Sequence, residues 1–217
     1  MRRMATAPTG AADAREPEGR REAILAAACR VIARDGAHGL HMSAVAREAG
    51  VSKALIHYYV ATRRELIERA IGYADARARE AVEGELRALP TGRARLERLF
   101  LAYATNAGVF ASSHALWSAA WGSLAIDEAF APFFHAGYRG WLDWIVALLE
   151  EGRRDGSIRV PFDPGAATRL AALAEGLSSL VEVGVVSAAE AETTMREGLA
   201  ALDGGGQPSS ACFPGSA

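Results

Sequence analysis

Cysteine and histidine are scarce in this chain of 217 residues. The two cysteines, Cys29 and Cys212, make no disulfide framework, and the five histidines are scattered without the spacing of metal ligands. We therefore predict no metal site and no cofactor. Cys29 falls inside a predicted helix, where we expect it to be a small core residue.

Long apolar runs and catalytic motifs are also missing. No stretch reaches the ~18 apolar residues that span a bilayer, and the N-terminus lacks the apolar segment of a signal peptide. We expect no membrane partner and a cytoplasmic location. The chain has no G-x-S-x-G sequence, no phosphate-cradling glycine loop and no His-Glu zinc motif, so we predict no catalytic residue and no enzyme activity. No segment alternates in polarity with a period of two, which predicts an all-α protein.

Lysine is almost absent, because Lys53 is the single lysine and every other basic residue is an arginine. The formal net charge of −2 hides an asymmetry between the two parts of the chain. From Arg20 to Gly72 there are nine basic and five acidic residues, a difference of +4, whereas from Tyr73 to Ala217 there are twelve and eighteen, a difference of −6. A basic segment joined to an acidic remainder favours contact between the first segment and phosphate groups.

The stretch from residue 43 to residue 66 predicts two short helices joined by a tight turn, followed by a third helix. Gly50 can adopt the left-handed conformation that ends a helix, and Ser52 is a good N-cap for the next one. Ile56 and Val60 are four residues apart and share an inward face. Such a helix-turn-helix places its second helix in the major groove of DNA. The alternative is an ordinary helical hairpin whose polar face is solvated.

The outward face of that second helix carries side chains that suit double-stranded DNA. Because Ile56 points inward, we predict that Ala54, Leu55 and His57 face the bases. Basic and tyrosine side chains around them are predicted to hold phosphates. The complete predicted DNA-binding set is Ser43, Ser52, Lys53, Ala54, Leu55, His57, Tyr58, Tyr59 and Arg63.

The segment from Arg21 to Ile67 resembles the N-terminal domain of TetR-type transcriptional regulators. The residues that match the family pattern are Arg21, Ile24, Ala27, Ala28, Gly36, Val45, Ala46, Ala49, Gly50, Val51, Ser52, Ile56, Tyr58, Tyr59 and Arg63. The segment departs from the pattern at His57 for a usual tyrosine, at Val60 for phenylalanine, and at His41 where threonine often caps the second helix. The resemblance implies a three-helix DNA-binding domain followed by a helical domain for ligand binding and dimerisation.

Helical segments are predicted along the rest of the chain, about nine helices in all. Capping residues mark their starts at Thr62 with Glu65, Thr91, Asp163 with Pro164, and Ser187 with Glu190. We expect a polar break at 111–113 and a penultimate helix that runs to Val186. The predicted organisation is a disordered tail at 1–18, the helix-turn-helix domain at 19–66, the ligand-binding and dimerisation domain at 67–202, and a disordered tail at 203–217.

Aromatic residues are dense between Phe100 and Trp144, a segment that holds all four tryptophans. Taken singly, each ring is best explained as part of a filled core. Together they predict a cavity for a small, mostly apolar molecule. The predicted lining is Tyr103, Phe110, Trp117, Trp121, Phe134, Tyr138 and Trp141. Part of this pattern resembles the choline-responsive, BetI-like branch of the family, which implies an aromatic box for a quaternary ammonium group.

Apolar residues of the last two helices form matching stripes. The predicted interface residues are Leu170, Leu173, Leu177, Val181, Met195 and Leu199. These stripes either cap the chain's own core or face a second copy in an isologous four-helix contact. The family resemblance implies the second arrangement, a homodimer.

These features together predict a ligand-responsive transcriptional regulator. We expect a repressor that binds a palindromic operator as a dimer and is released by a small, largely apolar effector. The alternative is a dimeric DNA-binding regulator without a small-molecule effector, which predicts a solid core in place of a cavity.

Overall fold

The computed structural model describes residues 17–108, 110–124, 127–159, 165–200 and 202. These residues form nine α-helices and one 3-10 turn and contain no strand, which confirms the all-α prediction for the described part of the chain. The helices are α1 (Pro17–Gly39), α2 (Met42–Ala49), α3 (Lys53–Tyr59), α4 (Arg63–Arg87), α5 (Gly92–Ala104), α6 (Phe110–Leu124), α7 (Ala131–Arg154), α8 (Ala166–Glu182) and α9 (Ala188–Ala200), with the 3-10 turn at Glu128–Phe130.

The chain folds into two compact units. Unit 1 contains the chain up to Arg77 together with Ala115–Phe130, and unit 2 contains Ala78–His114 and the chain from residue 131 onward. Both α4 and α6 therefore contribute residues to each unit. The division lies well inside α4, whereas the sequence suggested a domain boundary after residue 66, close to the start of that helix.

Unit 1 holds the helix-turn-helix around an apolar core. The two signals of the predicted turn are confirmed: Gly50 is left-handed, with φ of 66°, and the Ser52 side chain accepts a hydrogen bond from the Leu55 N–H at 3.1 Å. Cys29 is half-buried at the edge of this core; its thiol donates to the Ala70 carbonyl at 3.1 Å, and burial raises its pKa to about 11. The core contains Ile24, Ala28, Val31, Ile32, Val45, Ile56, Leu66, Ile67 and Ile71.

Several helix ends differ from the predictions. Because α1 begins at Pro17, a favourable first position for proline, residues 17 and 18 are helical and do not belong to a disordered tail. Gly36 has φ of 72° and kinks α1, which then continues to Gly39. The predicted polar break at 111–113 lies inside α6, and the Ser113 side chain is buried. The helix α8 ends at Glu182, earlier than predicted, because the chain turns at Gly184 with φ of 74°.

The predicted helix starts at Thr91 and Ser187 are confirmed. The Thr91 hydroxyl accepts from the Ala94 N–H at 3.2 Å, and Ser187 and Glu190 cap each other reciprocally. The predicted start at 163–164 and the predicted tails at 1–16 and 203–217 lie outside the described residues.

Unit 2 is built around α5, which packs against α7, α8 and α9. The start of α5 approaches the end of α7 so closely that a Cβ atom on Gly92 would overlap the backbone of Gly152. The Asp155 carboxylate accepts from the Gly92 N–H at 2.7 Å and fixes this contact. The core of unit 2 includes Leu96, Leu99, Phe100, Ile145, Leu149, Ala174, Leu177, Met195 and Leu199.

Candidate functional site

The helix α3 presents an outer face that is free of core contacts. Ile56 is fully buried and anchors the helix, whereas Lys53, Ala54 and His57 are exposed and Tyr58 is 81% exposed. Leu55 and Tyr59 are half-buried, and the Tyr58 and Tyr59 rings meet edge-on at 5.2 Å. The helix α3 therefore exposes the same face to solvent that the sequence predicts. The side chains of His57, Lys53 and Ala54 thus offer solvent a hydrogen-bonding ring, an ammonium group and a methyl group side by side.

The second helix of the motif adds a residue that the sequence analysis missed. Ser43 is exposed on α2, and Arg47 is exposed one helical turn later on the same face. The spacing of four residues between Ser43 and Arg47 is the sequence feature that could have indicated their shared face. Ser52 is exposed as well, but its hydroxyl already caps α3, which leaves it a weaker candidate for a phosphate contact.

Arg63 has a different role from the predicted phosphate contact. Its Nε donates to the Leu40 carbonyl at 2.7 Å, and its Nη2 donates to the carbonyls of Ala37 and His38 at 2.5 and 3.1 Å. The guanidinium therefore binds the last carbonyls of α1 and the connection to α2. Two of its three nitrogen atoms already have acceptors within the chain.

A second arginine of α4 holds the other end of the motif. Arg69 Nη1 donates to the Tyr59 carbonyl at 3.1 Å, at the C-terminus of α3, and Nη2 pairs with Glu65 at 2.6 Å. Glu65 in turn accepts from the Ala61 N–H at 2.8 Å. Helix ends carry carbonyl groups without intrahelical donors, and here α4 supplies the donors.

Aromatic side chains of α5, α6 and α7 form a cluster in unit 2, centred on Tyr103. The Tyr103 ring stacks on Trp141, with centroids 5.0 Å apart and an interplanar angle of 24°. Phe110 and His114 meet the Tyr103 ring edge-on at 5.4 and 5.8 Å, and Phe100 meets Trp141 at 6.0 Å. We call these five residues the aromatic cluster.

Acidic side chains of α8 border the aromatic cluster. The Tyr103 hydroxyl donates to Glu175 Oε1 at 2.7 Å. Burial, and to a lesser extent the charge of Glu175, raises the pKa of Tyr138 to about 12. Glu182 lies 3.3 Å from His114 Nδ1. Carboxylates beside aromatic faces form an environment that suits a small organic cation.

The helix α4 contacts the neighbourhood of the aromatic cluster within unit 2. The Arg79 guanidinium lies over the Trp144 ring, 4.5 Å from its centroid, and its Nε donates to Glu83 at 2.8 Å. Trp144 meets Trp141 edge-on at 5.8 Å. A chain of contacts thus runs from the stacked Tyr103 ring to α4.

The other predicted pocket residues are divided between the units. Trp117 and Trp121 belong to unit 1, where Trp117 Nε1 donates to Asp75 Oδ2 at 2.5 Å and Trp121 is 50% exposed. Phe134 is buried in unit 2 and meets Phe133 edge-on at 5.6 Å. Of the predicted set, Phe110 and Trp141 meet the Tyr103 ring. The Tyr103 hydroxyl donates to Glu175, whose charge also acts on Tyr138.

The residues predicted for the dimer interface pack within the single chain. Met195 and Leu199 are fully buried, and a Cβ on Gly198 would overlap Leu173, so α8 and α9 approach closely. In the single chain these stripes therefore have the alternative role of capping the chain's own core. The buried or half-buried set is Leu170, Leu173, Leu177, Val181, Met195 and Leu199.

The opposite face of α8 is exposed and carries small and apolar residues. Ala172, Gly176, Leu180 and Val183 follow one another at spacings of four and three residues, which places them on one side of the helix. Leu180 and Val183, which directly follows the helix, are 40% and 70% exposed. We call these four residues the outer face of α8. This face is not evident from the sequence, because small residues between polar ones are typical of a solvated surface.

Family models match both parts of the chain. Residues 24–70 match the model of the bacterial regulatory proteins of the tetR family, and residues 90–204 match the model of the C-terminal domain of BetI-type transcriptional repressors. The chain belongs to the TetR family. Its C-terminal part is of the BetI type, which confirms the resemblance seen in the sequence. The protein is accordingly a DNA-binding transcriptional regulator and not an enzyme.

Curated relatives are similar over part of their length. The HTH-type transcriptional regulator BetI of Rhizobium meliloti (strain 1021) is 36% identical over 80 residues, which are 37% of this chain and 39% of the relative. The BetI regulator of Vibrio parahaemolyticus is 30% identical over 108 residues, which are 47% of this chain and 54% of the relative. The chain therefore leaves a large part of each relative's length unmatched.

Solved structures share the fold over most of the chain. A TetR-family transcriptional regulator of Rhodococcus sp. is 31% identical with a TM-score of 0.74, over 85% of this chain and 96% of the other. A transcriptional regulator of Saccharomonospora viridis, solved in complex with choline, is 26% identical with a TM-score of 0.70, over 84% and 95% of the two chains. Among the described helices of the present protein, none combines the length and the apolar character needed to cross a bilayer.

The contacts of Arg63 predict a stability effect that the neighbouring arginine does not share. We expect Arg63→Ala to lower the free energy of unfolding by about 1–3 kcal/mol, because three carbonyl groups lose a charged donor. Arg64→Ala is the matched control, since Arg64 is exposed and, among the residues that the structure describes, reaches only the Ala129 carbonyl at 3.3 Å and Glu68 at 3.9 Å. We expect it to cost less than about 0.5 kcal/mol. Urea unfolding followed by circular dichroism measures both, and equal losses would contradict the structural role of Arg63.

Proposed function

We propose that this TetR-family regulator is a repressor that binds a palindromic operator as a homodimer and is released by a small effector in unit 2. The observation that carries the DNA-binding part is the exposed face of α3, held outward by the buried Ile56. Two such helices in a dimer span half-sites one helical turn of DNA, ~34 Å, or a multiple of it apart.

The DNA contacts divide into two kinds. Lys53 is exposed at the first position of α3, and Arg47 and Ser43 are exposed on α2, which suits contacts to phosphates on either side of a groove. His57 and Ala54 lie on the outward face of α3, where side chains meet base edges and thymine methyl groups. Phosphate contacts set the affinity and its dependence on salt, and base contacts set the sequence preference.

Substitutions on α3 test the DNA-binding part of the proposal. Lys53→Ala should weaken binding to all DNA sequences and make the dependence of log K on log salt shallower by ~1 in slope. His57→Ala should instead change the preference at one base pair, by roughly 1–3 kcal/mol. Arg154→Ala removes the same charge from unit 2 and should leave the slope unchanged. Selection from randomised DNA and salt titrations measure these effects. If selection returns the same operator for the wild-type protein and for His57→Ala, the assignment of a base contact to His57 is wrong.

The outer face of α8 is the surface that we propose for the dimer. The stripes predicted from the sequence are already buried in the chain, whereas Ala172, Gly176, Leu180 and Val183 are exposed. Small residues let two helices approach closely, and two copies of the same face are self-complementary about a twofold axis. The buried stripes then support this face from within, because they fix α8 on the core.

Arginine substitutions on this face test the dimer without disturbing the core. Ala172→Arg and Leu180→Arg should give monomers at micromolar concentration, because each places an unpaired charge in an apolar contact. Ala88→Arg is the matched control, since Ala88 is exposed just after α4. Sedimentation velocity measures the association state, and circular dichroism verifies the fold. A wild-type protein that sediments as a monomer, or a Leu180→Arg dimer, would contradict the proposed interface.

We propose the aromatic cluster as the effector site and a small, methyl-rich cation as the effector class. Three observations support the proposal: Glu175 provides a carboxylate beside Tyr103, the Trp141 ring stacks on Tyr103, and a regulator 26% identical to this chain was solved with choline. A quaternary ammonium group is largely apolar at its surface and is attracted by both aromatic rings and a carboxylate. The effector would enter by separating Tyr103 from Trp141.

Release of DNA follows if entry of the effector moves α4. A displaced Trp141 pushes on Trp144, and Trp144 carries the Arg79 guanidinium of α4. The helix runs without interruption from Arg63, where it holds the helix-turn-helix. To weaken DNA binding 100-fold, the effector must prefer the DNA-incompetent shape by ~2.7 kcal/mol.

A regulator without an effector remains the second candidate. One observation favours it: Tyr103 and Trp141 stack directly on each other at 5.0 Å, as the rings of a filled core do. The two candidates differ in whether any small cation changes operator binding.

Removal of the carboxylate distinguishes the candidates. Glu175→Gln keeps the shape of the side chain but loses its charge, so we expect choline to bind about tenfold or more weakly, a loss of ~1.4 kcal/mol or more. Operator affinity without choline should stay unchanged. Glu150→Gln, on the exposed side of α7, is the control. Tryptophan emission and operator binding report the two effects. If choline neither binds nor releases the wild-type protein from DNA, the quaternary-ammonium effector is excluded.

A further inference from the structure

The indole N–H of Trp141 is buried and has no acceptor among the described residues. The other polar groups of the neighbourhood do have partners: the Tyr103 hydroxyl donates to Glu175, and His114 faces Glu182. Trp117 in unit 1 shows the usual arrangement, in which Asp75 accepts from the indole. A buried donor without an acceptor is uncommon in folded proteins and destabilises the state that contains it.

The position of this N–H relates it to the proposed effector site. The Trp141 ring stacks on Tyr103, and the hydroxyl of that same tyrosine reaches Glu175. The Glu175 carboxylate and the unused donor of Trp141 therefore belong to two side chains that both contact Tyr103. A carboxylate attracts a cation, but an N–H group repels it, so the two groups cannot bind the same atom of a ligand.

We propose that the effector carries two functional groups, a cationic centre for Glu175 and a hydrogen-bond acceptor for Trp141 Nε1. The acceptor is a hydroxyl, ether or carbonyl oxygen a few bonds from the cationic centre. This inference rests on the proposed effector site and narrows its ligand class. A ligand without an acceptor leaves the indole N–H unpaired in the complex, and a ligand with one satisfies it, so Trp141 determines specificity between the two.

A pair of probes isolates the acceptor. Choline has a hydroxyl group where propyltrimethylammonium has a methyl group of similar size, and both carry the same cation. Calorimetry on the full chain measures the affinity of each probe. We expect the choline affinity divided by the propyltrimethylammonium affinity to be larger, by a factor of about five or more, in the wild-type protein than in Trp141→Phe. Loss of ring volume affects both probes and cancels in the ratio. Trp144→Phe, the neighbouring indole, is the control and should leave the ratio unchanged.

Nuclear magnetic resonance gives a second measurement that does not depend on the variant's stability. The four tryptophans give four indole N–H signals, and Trp141→Phe identifies the one that belongs to Trp141. Choline should move this signal downfield, as a new hydrogen bond does, and propyltrimethylammonium should not. If both probes bind and neither the affinity ratio nor the signal distinguishes them, the role of Trp141 is wrong while the effector site stands. If neither probe binds, the quaternary-ammonium effector and this inference both fail.

Discussion

The orientation of α3 depends on the hydrogen bonds that α4 makes to the helix ends before it. Arg63 binds carbonyls at the end of α1 and in the connection to α2, and Arg69 binds the Tyr59 carbonyl at the end of α3. A helix of seven residues is too short to be stable alone, so its position must come from its neighbours. Ile56 supplies the apolar anchor. The DNA-reading face points outward because the side chains behind it are fixed at both ends of the motif.

Local signals explain why this motif could be predicted from the sequence. Gly50 and Ser52 determine the turn through backbone conformation and a cap, and both act within four residues of themselves. Arg63 was assigned to DNA because its charge and its position in the family pattern suggested a phosphate contact. A long side chain can turn toward solvent or back onto its own chain, and only the three carbonyls of the folded structure decide between these directions. The side chain turns inward.

Long-range partners explain what the sequence did not reveal in unit 2. Aromatic density predicts a cavity, but it does not indicate Glu175, one of two acids on a helix rich in leucine and alanine. Its partner Tyr103 lies 72 residues earlier. The apolar stripe of α8 fits either the chain's own core or a second copy, and the family resemblance implies the second copy. An apolar stripe serves the chain's own core first, and Leu177 is buried there. The exposed face, with Ala172 and Gly176, has no strong pattern, so only the folded chain distinguishes the two sides.

The helix α8 joins two proposed activities through its opposite faces. Its inner face is tied by polar contacts to the turn that follows α5, since Ser178 Oγ donates to Asn106 Oδ1 at 2.5 Å and Asn106 Nδ2 donates to the Ser178 carbonyl at 2.9 Å. Glu175 lies one turn earlier on that face, beside Tyr103. Leu180 and Ala172 lie on the outer face. Because a packed helix moves as a rigid element, an effector that displaces Glu175 either breaks these contacts or carries the outer face with it. In the second case, a dimer formed through that face would change its geometry when the aromatic cluster is occupied.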